Sequence, residues 1–371
     1  MTSNQQHKQL RIIIAGGGTG GHIFPAIAVA QAIQQIQPDA AILFVGAQGK
    51  MEMEKVPKAG YEIKGLTIAG FNRTNIFKNI TLPWKLINSF FQVKSIFKQF
   101  KPNVVFGVGG YSSFPVLKYA QSKHIPTFIH ESNAFAGKAN QWLAAAASKI
   151  FTGTKGMEQF FPAEKIIITG NPVRKNIVDH PYTQKSALQL FGLNEDKKTV
   201  LIIGGSLGAG SINKVMEQHL PHFLENNIQL IWQTGQTDAC HYVEVAQDYK
   251  NVYVCSFIDD MSAAYCAADV VISRSGAMAV AEICLTGKAA LFVPYPHAAE
   301  DHQTFNAKVL VSEGAAMMVK DSEVNEKLFP ALIALIHDET AIAQMSQKVK
   351  VLGIENADQN IAQSIINYIQ L

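Results

Sequence analysis

Residues 11–26 read RIIIAGGGTGGHIFPA. Ile12, Ile13 and Ile14 are an apolar run of the kind that fills a buried parallel strand, and the glycines after them allow a turn too tight for any residue with a Cβ. A long uncharged helical pattern follows. A strand, a glycine turn and a helix in this order leave backbone N–H groups at the positive end of a helix dipole, which makes a site for an anion. His22 stands at that mouth.

Gly16, Gly18 and Gly21 also spell G-x-G-x-x-G, the dinucleotide fingerprint. That fingerprint needs an acidic residue about 20 positions on, at the end of the second strand, to hold a ribose. The second strand is predicted over 41–45 and is followed by Gly46, Ala47 and Gln48. No carboxylate is there, which counts against a nicotinamide or flavin cofactor. A purely structural tight turn is also compatible with the spelling.

Strand and helix patterns alternate along the chain, the signature of parallel sheets covered on both faces. Strands are predicted at 103–106, 127–130 and 166–169. The first closes in a second glycine turn, Gly107-Val108-Gly109-Gly110-Tyr111, the second in Glu131-Ser132-Asn133, and the third in Gly170-Asn171-Pro172-Val173-Arg174. The pattern then restarts with an apolar strand at 199–203 and Gly204-Gly205-Ser206-Leu207-Gly208-Ala209-Gly210, an echo of the opening. Strands at 229–233, 252–255, 270–273 and 290–293 complete it. A chain of 371 residues is long for one domain, and this repeat divides it near Arg174 into two similar open α/β domains.

The chain is 48% hydrophobic and 16% charged, as expected of a soluble globular protein with a large core. Cys240, Cys255, Cys266 and Cys284 form no C-x-x-C pair and read as small buried residues of a reducing compartment. The first ten residues lack the apolar core of a signal peptide. Residues 12–37 carry no charge, but their glycines, proline and glutamines suit a membrane span poorly, so no transmembrane helix is predicted. The net charge of +3 is unevenly placed. No acid falls between Glu62 and Glu131, where Lys64, Arg73, Lys78, Lys85, Lys94, Lys98, Lys101, Lys118 and Lys123 lie, so this region is expected to face something negative. Within it Leu82, Leu86, Phe90, Val93, Phe97 and Phe100 recur at steps of three and four, an amphipathic helix with lysines beside its apolar stripe.

Ligands of open α/β sheets sit beyond the carboxyl ends of the strands. Gly205 and Ser206 would offer N–H groups and a hydroxyl to a diphosphate, the helix end adding about 0.3–1 kcal/mol per exposed charge and up to about 2 kcal/mol when partly buried. Arg174 would add a charge-assisted contact, or be an ordinary surface arginine. Glu282, about one and a half turns into the helix after Arg274-Ser275-Gly276, suits the two hydroxyls of a ribose, with a helix-dipole or solvent role as the plain alternative. His22 is a candidate general base, because an alcohol attacking a sugar must lose a proton and such catalysis supplies about 10² to 10⁴-fold; a lone histidine is more often structural. No metal site stands out: Asp259 and Asp260 are adjacent rather than spaced to share a cation, and no H-E-x-x-H occurs. The helix end is expected to do the work of Mg²⁺ at a leaving diphosphate.

GGGTGGHIFPA at 16–26, GVGGY at 107–111, HESN at 130–133, GNPVR at 170–174, GGSLGA at 204–209, FIDDM at 257–261, RSGAMAVAE at 274–282 and HQ..NA at 302–307 occur in this order over nearly the whole chain. Together they resemble the MurG family of bacterial transferases, glycosyltransferase family 28 of the GT-B superfamily. The resemblance implies two Rossmann-like α/β domains facing across a cleft: 1–174 on the acceptor and membrane side, and 175–354 for UDP-GlcNAc, with a last helix at 355–371 packing back on the first. The implied reaction is inverting transfer of N-acetylglucosamine from UDP-GlcNAc to the 4-hydroxyl of a lipid-linked muramoyl-pentapeptide, in peptidoglycan synthesis. The implied UDP-GlcNAc contacts are Thr19, Gly20, Gly21, Asn133, Arg174, Ser206, Ile258, Ala277, Met278, Ala279, Val280, Ala281, Glu282 and Gln303. Among them the Ile258 backbone meets the uracil, Glu282 the ribose, and Ser206 with Arg174 the diphosphate. The first two glycine turns face the lipid-linked acceptor with His22 as base, and no cofactor, metal or nucleic acid takes part.

The implied location is peripheral, on the cytoplasmic face of the inner membrane, where apolar and basic residues of 71–101 rest on an anionic leaflet at about 1 kcal/mol per lysine. The alternative is that the apolar stripe is core and only the lysines lie outside. Leu207 and Ser132 stand where the family has glutamine, and Ala279 where threonine is common, which puts those side-chain contacts in question. A UDP-GlcNAc 2-epimerase of the same fold, a dinucleotide-dependent oxidoreductase and a non-catalytic UDP-sugar-binding module are the competing readings.

Overall fold

The isoleucines after Arg11 become a central strand, β1 (Arg11–Ala15), flanked by parallel neighbours on both sides and almost wholly buried. The computed structural model describes residues 9–70, 80–205 and 207–370. The chain divides into one unit of Met1–Val173 with Asn356–Leu371 and a second of Arg174–Glu355.

In the first unit β1 is followed by α1 (Gly20–Ile36), β2 (Ala41–Ala47), α2 (Glu52–Lys58), β3 (Glu62–Leu66), α3 (Leu82–Phe100), β4 (Val104–Gly107), α4 (Ser113–Ser122), β5 (Thr127–Glu131), α5 (Lys138–Ala144), β6 (Lys149–Thr152) and β7 (Ile166–Ile168). The second contains α6 (Gln184–Leu190), β8 (Lys198–Ile203), α7 (Gly210–Gln218), α8 (Leu220–Glu225), β9 (Ile228–Gln233), α9 (Ala239–Ala246), β10 (Val252–Cys255), α10 (Met261–Ala267), β11 (Val270–Ser273), α11 (Ala277–Thr286), β12 (Ala289–Phe292), α12 (His302–Ser312), β13 (Met317–Met318), α13 (Val324–Ile336) and α14 (Glu339–Val351). The last helix, α15 (Ala357–Gln370), returns to the first unit.

Two open parallel sheets result, as the alternating pattern predicts. Their orders are β3-β2-β1-β4-β5-β6-β7 and β10-β9-β8-β11-β12-β13. In each the order reverses at the first strand of the unit, so the loops after β1 and β4, and after β8 and β11, flank a switch point where ligands of such sheets bind. The alternation of side chains along a strand sorts the first unit's core into two layers. Ile12 and Ile14 pack with Ile23, Ile27 and Ile33 of α1 and with Ile361, Ile365 and Ile366 of α15. Ile13 and Ala15 face Val93 and Phe97 of α3 and Val116 and Leu117 of α4.

The prediction missed β3, β6 and β13. β3 is an edge strand with Glu62 and Lys64 ion-paired at 2.7 Å on its outer side, so it lacks an apolar run. β6 has only Ile150 and Phe151 between Lys149 and Thr152, and β13 is two residues long. Helix α3 is amphipathic as expected, but in two stripes. Val93 and Phe97 are core and Leu82, Leu86, Phe90 and Phe100 are partly covered. A second line, Ile80, Trp84, Ile87 and Phe91, lies 71%, 75%, 50% and 66% exposed at helical spacing, and Lys94 and Lys98 continue it. Arg73 and Lys78 fall outside the described residues. Among those described, no helix is long and apolar enough to cross a membrane.

Because Ile365 is fully buried between α15 and α1, Ile365→Ala should cost about 2–5 kcal/mol. Hydrogen exchange should show the loss in the amides of β1 and α1 while those of β8 and α7 keep their protection.

Candidate functional site

The turn after β1 runs through Gly16, Gly17 and Gly18 at φ of +143°, +147° and +90°, a path closed to side chains. Beneath it lies Glu52, 1% exposed at the start of α2. Its Oε2 accepts the N–H of Gly18 at 3.0 Å and its Oε1 the N–H of Ala47 at 2.9 Å, and a Cβ at Gly17 would collide with the carboxylate and one at Gly46 with the Glu52 Cγ. Glu52 lies five residues beyond the end of β2, and both its oxygens are taken by backbone amides rather than offered to a ribose.

Thr19, exposed, precedes α1 without a side-chain cap, and no acid stands in the first turn, so the N–H groups of Gly20 and Gly21 lie at an uncapped helix start. His22 folds back over the turn. Its Nδ1 is 3.2 Å from the Gly17 carbonyl oxygen and 3.2 Å from Thr19 Oγ1. The second glycine turn packs against it. A Cβ on Gly109 would lie 3.1 Å from His22 Nε2, and one on Gly110, at φ +81°, would lie 2.6 Å from the Gly17 carbonyl oxygen.

The exit of β5 is built on a second buried carboxylate. Glu131 Oε1 accepts the Asn133 backbone N–H at 3.1 Å and its side-chain amide at 3.2 Å, while Oε2 accepts the Gly137 N–H at 3.0 Å and Asn140 Nδ2 at 2.9 Å. Asn133 is thereby held half-buried at the loop's rim. Ser132 Oγ lies 3.4 Å from His130 Nδ1, so it serves the fully buried His130. Burial pushes His130 down to about 4, the Gly170 carbonyl pulling it up and His22 adding repulsion.

In the second unit Gly208, at φ +89°, packs so closely that a Cβ would land on the Thr234 carbonyl. Ser206 lies outside the described residues, and Leu207 beside it is exposed. Gln233 ties this loop to the next, its Nε2 donating to the Gly205 carbonyl at 3.3 Å while its Oε1 accepts the buried Ile258 N–H at 3.0 Å. Of Ile258's two backbone groups, the N–H is therefore already engaged. Asp260 caps α10 through Ala263 and accepts from Tyr182 at 2.7 Å.

After β11, Ala277 to Glu282 form the first turns of α11, which starts at Gly276 with neither a side-chain cap nor an acid in its first turn. Glu282 is half-buried, and its Oε2 accepts the hydroxyl of fully buried Tyr265 at 3.1 Å. Burial raises the Glu282 carboxyl, with the Arg174 charge and the Tyr265 hydroxyl acting against it, and burial lifts Tyr265 well above its ordinary value. Arg174, exposed, is thus within electrostatic reach of Glu282. Gln303 joins from α12: its carbonyl accepts the buried Ser275 hydroxyl at 2.8 Å and its Oε1 the Tyr295 N–H at 3.0 Å. Arg274 is structural, held to Asp321 at 2.5 Å and to the carbonyls of Val293 and Pro294.

The first unit therefore gathers Thr19, Gly20, Gly21 and His22 at its switch point, with Asn133 two strands away at the exit of β5. The second brings Arg174, Ala277 to Glu282 and Gln303 together around the start of α11, with Ile258 linked to the Gly205 loop. Sequence reasoning missed Glu52, Tyr265 and Gln233, and quoted Glu131 only within a loop. Among the described residues no cluster of three or more His, Cys, Asp or Glu forms that would hold a metal ion.

Residues 12–152 match the glycosyltransferase family 28 N-terminal domain, and residues 199–365 the glycosyltransferase family 28 C-terminal domain. The chain belongs to glycosyltransferase family 28. A family member from Bacteroides thetaiotaomicron, named UDP-N-acetylglucosamine--N-acetylmuramyl-(pentapeptide) pyrophosphoryl-undecaprenol N-acetylglucosamine transferase, is 49% identical over 97% of this chain and 98% of its own. The crystal structure of Acinetobacter baumannii MurG superposes with a TM-score of 0.79 at 29% identity, covering 96% of this chain and 99% of that one. S. aureus MnaA bound to UDP reaches 0.70 at 16% identity over 98% of both chains, a likeness of fold alone.

His130 is neutral in the folded family 28 chain, whereas the unfolded chain takes up a proton below the ordinary value of 6.5. Its contribution to stability is whole above that pH and is lost as pH falls toward 4, by roughly 3 kcal/mol across the window. Urea unfolding of the first unit followed from neutral pH to about 4 should show this loss, and His130→Asn should flatten it.

Proposed function

We propose that the chain moves N-acetylglucosamine from UDP-GlcNAc to the 4-hydroxyl of an undecaprenyl-diphospho-N-acetylmuramoyl-pentapeptide, inverting the anomeric carbon. The observation that carries this reading is the 49% identity, over nearly the full length of both chains, to a relative named for that transfer. His22 is the base. It takes the hydroxyl proton as the acceptor oxygen bonds to the anomeric carbon, and the electron pair of the breaking sugar–phosphate bond leaves with UDP. The leaving diphosphate gains negative charge, which the uncapped start of α11, Arg174 and the Ser206 hydroxyl stabilise.

Glu282 accepts the ribose hydroxyls, its carboxylate kept available by Arg174 and Tyr265 against the cost of burial. Because the Ile258 N–H is held by Gln233, its carbonyl is the group left to accept from the uracil N3–H. Met278 and Ala279 offer backbone N–H groups in the first turn of α11, and Gln303, Asn133, Thr19, Gly20 and Gly21 complete the sugar contacts. Ser132 turns to His130 rather than to substrate, and Leu207 and Ala279 bring no polar side chain, so glutamine or threonine contacts at these positions are absent from the reading.

The membrane surface is met by α3. Ile80, Trp84, Ile87 and Phe91 form an apolar line with Lys94 and Lys98 along it, and Trp142 of α5 stands 70% exposed on the neighbouring helices, edge-on to Phe114 at 5.9 Å. Aromatic residues flanked by lysines suit the boundary of an anionic leaflet, where the protein rests peripherally on its cytoplasmic face.

Incubation with labelled UDP-GlcNAc and lipid-linked muramoyl-pentapeptide should move label into the lipid fraction; formation of UDP-ManNAc without acceptor would make the chain an epimerase instead. His22→Ala should lower kcat by about 10² to 10⁴-fold with UDP-GlcNAc affinity nearly kept, and equal loss of both would reassign His22 to ground-state binding. The double variant Trp84→Asp, Phe91→Asp should stop the protein floating with anionic vesicles, and undiminished flotation would remove α3 from the membrane contact.

A further inference from the structure

Glu52 and His22 sit at the two ends of one peptide bond. The Gly17–Gly18 peptide donates its N–H to Glu52 Oε2 at 3.0 Å, and its carbonyl oxygen lies 3.2 Å from His22 Nδ1. We propose that Glu52 is a positioning residue for His22, acting through this peptide to hold the imidazole with its proton on Nδ1 and its basic lone pair on Nε2. The proposal rests on the reading of His22 as the general base.

A carbonyl oxygen has no proton to give, so a ring nitrogen bonded to it must be the N–H of the neutral imidazole, and the other nitrogen carries the lone pair. Thr19 Oγ1, 3.2 Å from the same Nδ1, accepts from that N–H equally well. The peptide itself is held by a carboxylate that is 1% exposed and bonded through both oxygens to backbone N–H groups, the second being Ala47 at 2.9 Å. An anionic acceptor on the N–H end of a peptide polarises it and strengthens its carbonyl as an acceptor at the other end. The same negative charge favours the imidazolium that forms when His22 takes a proton. Its charge also reaches Tyr111 in the second glycine turn, whose phenol is raised by burial first and by Glu52 second.

Glutamine cannot replace this carboxylate. With one acceptor oxygen it would turn its NH₂ toward one of the two N–H groups. The glycines at 17 and 46 fit the same device, since a Cβ at either would meet the Glu52 side chain. On the far side of the ring, Nε2 looks onto the bare Cα of Gly109 in the second glycine turn. The relation is that of a carboxylate orienting a catalytic histidine, with a backbone peptide interposed.

The test uses the full chain with ¹⁵N-labelled histidine, His22 being assigned from the spectrum of His22→Gln. At mildly alkaline pH the His22 ring should carry its proton on Nδ1, and a proton on Nε2 would overturn the proposal without any variant at Glu52. Glu52→Gln should lower kcat at least about tenfold while the KM for UDP-GlcNAc changes less than about twofold, and should have no further effect in a His22→Ala background. A Glu52→Gln enzyme that turns over normally, or whose loss persists undiminished without His22, would leave Glu52 a merely structural residue. If His22→Ala itself keeps full turnover, the base reading fails instead, and the two failures are told apart.

Discussion

The first unit's site depends on a carboxylate buried beneath a glycine turn. Glu52 anchors the N–H of Gly18 and of Ala47, so the exits of β1 and β2 are pinned to a single group and the turn's path is set from below. His22 then closes over the carbonyl of the same turn, and the second glycine turn packs on both. None of these contacts tolerates a Cβ at the turn, which is why the glycines and the acid belong together.

The two units use the same architecture, each with a helix that starts uncapped and without an acid in its first turn, and differ in where their carboxylates stand. In the first, the switch point is backed by Glu52, and the β5 exit by Glu131, both buried and both satisfied by N–H donors. In the second, α11 starts without an acid in its first turn, and Arg174 stands within electrostatic reach of Glu282 at its second turn.

Helix α3 illustrates how one periodicity serves two surfaces. A period of 3.6 residues lets apolar side chains recur on more than one face of a helix of nineteen residues. Val93 and Phe97 fill the core beside Phe97's edge contact with Tyr119 at 5.0 Å, and the line through Trp84, Ile87 and Phe91 is left outside with Lys94 and Lys98. The pattern revealed an amphipathic helix beside lysines, and packing decided which apolar residues remained uncovered.

The sequence by itself determined the two parallel sheets, most of their strands and the segments after them that carry His22, Asn133, Glu282 and Gln303, because apolar runs and glycine turns are local signals. The family was legible for the same reason, eight short motifs in order. It did not disclose β3, β6 or β13: β3 alternates charges along an edge, β6 has only Ile150 and Phe151 between Lys149 and Thr152, and β13 is two residues long. Nor did it disclose that Glu52 reaches Gly18 across 34 residues, that Tyr265 donates to Glu282, or that Gln233 occupies the Ile258 N–H. The Glu52 and Gln233 contacts follow from the parallel register, which aligns β1 with β2 and β9 with β10, and the Tyr265 contact from the packing of α10 on α11; sequence spacing carries no record of which groups the tertiary structure brings together.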